Sequence, residues 1–255
     1  MYDHFAEVSP VYRELRSTDE APIRYIRDTL SDPESLDAAD IGCGAGRYDL
    51  LLFRHLRGLR LTCVDASAAM LAQLSGYLTR HGINRFETVV SRIEDLDLGA
   101  GSLDCVFTFN AVHHFDFPTF LARSGHTIRP GGRIFVYTRT PEQNAGSIWG
   151  RHFPEFKERE DRLYTQEQMA AWVESDAQLK LLGVKNFRYE RRASLDRLLT
   201  QARGKHYSTF TFYRPEEFRS ACERFVASVR GAFVDTERID WQDGNIMFEI
   251  GRTDS

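Results

Sequence analysis

The sequence predicts an α/β protein built on a doubly wound, seven-stranded, mostly parallel sheet. Three observations predict it. Apolar runs of strand length alternate with helical patterns from residue 36 to residue 140. The run 103–109 carries few polar residues, as a central parallel strand covered on both faces requires. Between the first strand and the first long helix stands Asp40-Ile41-Gly42-Cys43-Gly44-Ala45-Gly46, a strand that ends in a turn of alternating glycines.

Composition narrows the class. The chain has 255 residues, 42% hydrophobic and 27% charged, which suits one large globular domain with a lid or insertion. No apolar run approaches the length of a membrane span, and the opening Met1-Tyr2-Asp3-His4-Phe5 lacks the basic flank and apolar stretch of a secretory leader. A net charge of -4 supplies no general attraction for phosphate backbones, which disfavours a nucleic-acid partner. Cys43, Cys63, Cys105 and Cys222 show neither C-x-x-C nor metal-ligand spacing, so they read as core thiols of a cytoplasmic protein, and no metal is expected.

Taken in order, residues 1–35 are expected to form a helical cap. Residues 2–15 alternate aromatic and polar side chains, and Pro22 opens a helix with Ile23, Ile26 and Leu30 on one face. After the glycine turn, Leu50, Leu51, Phe53 and Leu56 mark a helix over 47–56, and residues 59–65 form the second strand. Ser67 caps the next helix, whose stripe is Met70, Leu71, Leu74 and Leu78 and whose end is Gly82. Strands follow at 86–91, 103–109 and 133–138, with a helix capped by Asp116 that turns Phe117, Phe120 and Leu121 inwards.

Residues 141–182 then read as a lid insertion. It holds an aromatic stretch over 148–156 and a helix started by the capping box Thr165-Gln166-Glu167-Gln168. The part 183–255 supplies a sixth strand at 184–191 after Gly183, and a helical insertion over 194–234 containing a helix from Pro215. Asp243-Gly244 reads as a turn, and 245–252 as an antiparallel final strand. The chain, 1–255, is read as a single domain whose core is 36–140.

Asp40-x-Gly42-x-Gly44-x-Gly46, followed by Asp65, by Leu103-Asp104-Cys105-Val106-Phe107 and by Arg129-Pro130-Gly131-Gly132-Arg133, resembles the class I S-adenosylmethionine-dependent methyltransferases of the small-molecule type. The likeness covers about residues 36–140. It implies the Rossmann-like methyltransferase fold and methyl transfer by in-line displacement, with S-adenosylmethionine as donor and S-adenosylhomocysteine as product. The donor site would comprise Asp40, Gly42, Gly44, Gly46, Asp65 with Ala66, the turn Arg92-Ile93, and Asn110. Asp65 would accept from the two ribose hydroxyls. In the family an acidic residue at the position of Arg92 commonly binds the adenine amino group. Here arginine stands there, so backbone groups at Arg92 and Ile93, or Glu94 or Asp95, would take that contact. The opening aromatic segment resembles one that covers the cofactor in small methyltransferases, through Tyr2, Phe5 or Tyr12.

Open α/β sheets bind ligands outside the carboxyl ends of their strands, which places His113 and His114 beside the reacting atoms. Either ring could act as a general base, and either could instead hydrogen-bond neighbouring backbone. For the small-molecule acceptor the sequence offers Trp149, Arg151 and His152 of the lid and His206 and Tyr207 of the second insertion, all of which could equally be scaffold. Two other functions fit the motifs: a transfer-RNA methyltransferase acting on wobble uridine, and a donor-binding regulatory subunit without turnover. Neither the methylated atom nor an oligomeric state is specified.

Overall fold

Neighbouring residues of the central strands pack into different apolar clusters, one on each face of the sheet. The computed structural model describes residues 18–31 and 33–253. Its seven strands are β1 (Leu36–Ile41), β2 (Leu59–Asp65), β3 (Phe86–Val90), β4 (Leu103–Phe109), β5 (Ile128–Thr138), β6 (Leu179–Ala193) and β7 (Ile239–Arg252). They form one sheet in the order β3-β2-β1-β4-β5-β7-β6. The first five pair in parallel, and β7 runs antiparallel to both β5 and β6. The expected doubly wound, mostly parallel sheet is therefore present.

The helices among the described residues are α1 (Ala21–Leu30), α2 (Asp49–His55), α3 (Ala68–Arg80), α4 (Phe117–Thr127), α5 (Pro141–Gly146), α6 (Ile148–His152), α7 (Phe156–Arg159), α8 (Gln166–Ser175), α9 (Leu195–Arg203) and α10 (Pro215–Ala232). On one face Ala38, Phe107 and Phe135 pack with Ile23 and Ile26 of α1 and Leu71 and Leu74 of α3. On the other, Ala39, Val106 and Val136 pack with Phe117 and Phe120 of α4 and Met169 and Val173 of α8. Each large side chain so buried stabilises the fold by about 1.5–3 kcal/mol. A third cluster, containing Trp149, Phe153, Phe156, Phe210 and Phe225, forms the core of a helical cap made from α6, α7, α9 and α10.

The predicted caps are in place. Ser67 accepts from the Met70 amide, Asp116 accepts from the amide and hydroxyl of Thr119, and Thr165 and Gln168 form a reciprocal box. Each such cap is worth about 1 kcal/mol.

Three boundaries differ from expectation. β5 begins at Ile128, five residues early. β6 runs from Leu179 to Ala193, with an irregularity between Leu181 and Gly183, so Gly183 lies within the strand rather than before it. This is an edge strand with much of its length exposed, and its Lys and Arg residues mask the alternation. Asp243-Gly244 is not a turn, because β7 continues through it and pairs Asp243 with Tyr189 and Gly244 with Arg188. Asp243 is held there by Trp241 Nε1 and Arg191 Nε, and a methyl at Gly244 would come within 3.1 Å of Gln143 Cγ. That glycine answers a close approach. Tyr2, Phe5 and Tyr12 lie outside the described residues.

Candidate active site

The glycine turn leaves β1 at the carboxyl edge of the sheet, where Gly42 and Cys43 donate to the Val64 carbonyl at 2.8 and 3.1 Å. Gly42, Gly44 and Gly46 all have positive φ. A methyl at Gly42 would stand 2.5 Å from Ala111 Cβ, and one at Gly46 would stand 2.9 Å from Leu74 Cγ of α3. Those two glycines permit packing. At Gly44 nothing among the described residues lies within 4 Å, and that position faces a cavity of about 510 Å³.

Asp65, at the end of β2, accepts from the Gly44 amide through Oδ2 at 2.9 Å and from the Ser67 amide through Oδ1 at 2.8 Å. It thereby fixes the glycine turn against α3 while lining the cavity. Burial raises its pKa, and the two backbone amides oppose the rise. Asp40 is fully buried, and its Oδ1 has no hydrogen-bond partner among the described residues. Burial, with the charges of Asp49 and Asp65 nearby, pushes its pKa well up. Asp49 follows the same logic and is pushed up to about 7 by burial, against a hydrogen bond from the Cys63 thiol. Three carboxylates thus crowd beneath one turn, and a cationic ligand in the cavity would relieve their repulsion.

The far wall of the donor half is Ser91, Arg92, Ile93 and Glu94, with Arg92 Nε 3.8 Å from Glu94 Oε2. Asn110 ends β4 in a left-handed conformation, φ +53°. Asn245 of β7 donates to its Oδ1 at 3.2 Å and to the Thr138 carbonyl at 3.0 Å, which leaves the Asn110 amide N–H groups as its ligand-facing chemistry. His113 and His114 follow on a short 3-10 turn (Val112–His114), their ring centroids 4.1 Å apart, and both line the cavity.

The structure gathers Asp40, Gly42, Gly44, Asp65, Ala66, Arg92, Ile93, Asn110, His113 and His114 around this one cavity. Gly46 lies behind it, against Leu74. The five residues expected at the acceptor lie elsewhere. Trp149 is buried in the cap core, stacked on Phe225, with His206 beside it. His206 bonds the Gln201 carbonyl, Tyr207 packs on Phe156 under Arg139, His152 bonds Ser228, and Arg151 faces solvent. The aromatic density that suggested a ligand wall is consumed in holding the cap together. In their place the cavity is roofed by Arg162, Ser208, Thr211 and Phe212. None of the four is marked by a motif, although Arg162 lies in the insertion 141–182 and the other three in the insertion 194–234. Arg162 stands between helices in a polar run with no motif.

The residues present fit the donor. At Gly44 an added side chain would take up cavity space rather than meet described protein atoms, a buried Asp40 oxygen has no hydrogen-bond partner among the described residues, and the volume suits a nucleoside with an amino-acid tail. Among the described residues no three His, Cys, Asp or Glu side chains converge as metal ligands, and no helix is long and apolar enough to cross a membrane.

Residues 38–132 match the family model of a methyltransferase domain. The ubiquinone biosynthesis O-methyltransferase of Caulobacter vibrioides is 29% identical over 123 residues, 47% of this chain and 48% of that one. Its counterpart in Sinorhizobium fredii is 27% identical over 183 residues, 64% of this chain and 73% of that one. The chain spans about half the length of most of the curated relatives it matches. Among solved structures, the YcgJ protein from Bacillus subtilis shares the fold with a TM-score of 0.64 at 15% identity, covering 93% of this chain and 100% of that one.

Proposed function

We propose, from the premise that this chain belongs to the class I S-adenosylmethionine-dependent methyltransferases, that it moves the donor's methyl group to an oxygen of a small-molecule acceptor by in-line displacement. The observation that carries the proposal is the continuous cavity. It runs from the Asp65-bound glycine turn to His114 and the cap residue Arg162, so donor and acceptor can meet within one cleft. The names of the two relatives support oxygen as the receiving atom. The roof over the cavity and the acidic net charge support a small acceptor over an RNA.

The bound donor would supply an activated methyl group on a cationic sulfur. The turn at Gly42 and Gly44, with Asp65 and Ala66, would hold its nucleoside, and Arg92 and Ile93 would flank its base. Asn110 would meet the amino-acid carboxylate with its amide N–H groups, and Asp40 would face the cationic end. His113 and His114 stand where the acceptor would lie. Alignment in a water-poor cleft can contribute on the order of 7–11 kcal/mol to such a displacement, so the cap acts by excluding water and fixing the approach.

The test is transfer of a labelled methyl group to a panel of phenols, enols, amines and thiols, after calorimetry has established S-adenosylhomocysteine binding. Label should appear as a methyl ether. Label on nitrogen or sulfur only, or none in protein that binds the product tightly, contradicts the reading.

A further inference from the structure

Arg162, on the connection between α7 and α8, is held more firmly than any other side chain in the roof of the cavity. Its Nε and Nη2 donate to the two oxygens of Glu160 at 2.8 and 2.6 Å, and Nη2 donates to Ser208 Oγ at 3.0 Å. The Phe212 ring lies 4.5 Å from its Cζ. Glu160 is itself buried and accepts from Thr209. Because Glu160 occupies the Nε and Nη2 edge, the guanidinium turns its Nη1 end toward His114, whose Nδ1 lies 3.4 Å away.

Direction matters more here than the length of that contact. A guanidinium has no acceptor atom, so His114 Nδ1 must accept, and the neutral ring then carries its proton on Nε2. The ring therefore presents itself as a donor.

We propose that this end of the cavity is a subsite for an acceptor whose reacting oxygen is already an anion, a phenolate or an enolate, bound by donors on Arg162 and His114. The inference rests on the methyl-transfer reading above and names its substrate class. A methyl group delivered to an oxyanion forms a neutral ether, and the electron pair of the broken carbon–sulfur bond stays on sulfur, so no proton needs a destination. Asp40 and Asp65 line the end where a cationic donor would lie. At the other end Glu160 balances the charge of Arg162, so the guanidinium offers the acceptor an oriented N–H donor rather than a net positive field.

The test uses 4-nitrophenol, whose phenolate is visible by absorbance near neutral pH, with the full chain saturated with S-adenosylhomocysteine. The bound probe should ionise about one pH unit below the free probe, a tenfold preference for the anion. Arg162→Met should remove that preference while product binding persists. His114→Gln, whose amide can still donate but cannot act as a base, should keep it. Where the methionine variant no longer binds the product, Arg162→Lys takes its place and should reduce the preference. Binding of the neutral phenol, failure to bind the probe in protein that holds the product, or loss of the preference in His114→Gln overturns the proposal. Failure to bind S-adenosylhomocysteine at all overturns the methyltransferase reading instead.

Discussion

Alanine substitutions at Gly42 and Gly44 should separate packing from ligand space within a single turn. Both positions have positive φ, +76° and +57°, so an alanine at either costs about 1–2 kcal/mol in backbone strain. At Gly42 the new methyl would also lie 2.5 Å from Ala111 Cβ, and displacing that neighbour adds about 1–3 kcal/mol. At Gly44 the methyl meets no atom of the described residues within 4 Å. Gly42→Ala should therefore lose about 2–5 kcal/mol and Gly44→Ala about 1–2 kcal/mol. At about 2–4 °C per kcal/mol, the melting midpoint falls by on the order of 10 °C for the first and roughly 4 °C for the second. Affinity should run the other way relative to stability. The Gly44 methyl projects into the cavity, so calorimetry should show S-adenosylhomocysteine binding weakened at least tenfold, about 1.4 kcal/mol, beyond what its small stability loss explains. A Gly44→Ala protein that binds the product like the parent would refute the placement of the donor against this turn.

Other outcomes follow from the same geometry. Asp65→Ala should weaken product binding by several kcal/mol at most, measured by calorimetry, since it removes a carboxylate that also anchors the Gly44 and Ser67 amides. Asp49, whose pKa rises from 3.8 to about 7 on folding, holds a proton that the unfolded chain has released. Its contribution is thus greatest below pH 3.8 and is lost as pH rises through about 7. Asp49→Asn should flatten that slope in urea unfolding and gain about 2–4 kcal/mol at alkaline pH, with a residual slope from Asp40, which shifts in the same direction. Because burial pushes the Asp40 pKa up and a cationic donor would oppose that rise, S-adenosylmethionine should bind more tightly with rising pH, with proton release seen in buffers of different ionisation enthalpy. The thioether product should show less of this. Gly244→Ala should change stability by less than about 0.5 kcal/mol, because the strand needs no left-handed residue there and the Gln143 side chain can give way. A large loss would show that Gln143 cannot give way.

The donor half was legible because its signals are local. Glycines at fixed spacing, an acid at the next strand end, and caps such as Ser67 and Asp116 are read from a few adjacent residues, and the structure places them at one sheet edge. The acceptor half depends on contacts distant in sequence, such as Arg162 with Ser208 and His114. No local pattern distinguishes an aromatic residue that walls a pocket from one that fills a cap, which is why Trp149 and His206 were drawn toward the ligand on paper and lie in an apolar core in space. Asp243-Gly244 misled for a related reason: the dipeptide usually marks a hairpin, but here a cross-strand partner on Arg191 and a same-strand one on Trp241 hold it extended.

The cap core is closed by rings from both sides of β6, with Trp149 and Phe153 before it and Phe210 and Phe225 after it. Such a cluster cannot form until more than fifty intervening residues have been synthesised and looped back, a closure whose entropy must be met before any contact rewards it. During translation the run 148–156 therefore waits with its aromatic side chains uncovered, while everything needed to bind a nucleoside has already left the ribosome. Topology sets an order of assembly: the floor of the chamber can close first, and its ceiling arrives with the last quarter of the chain.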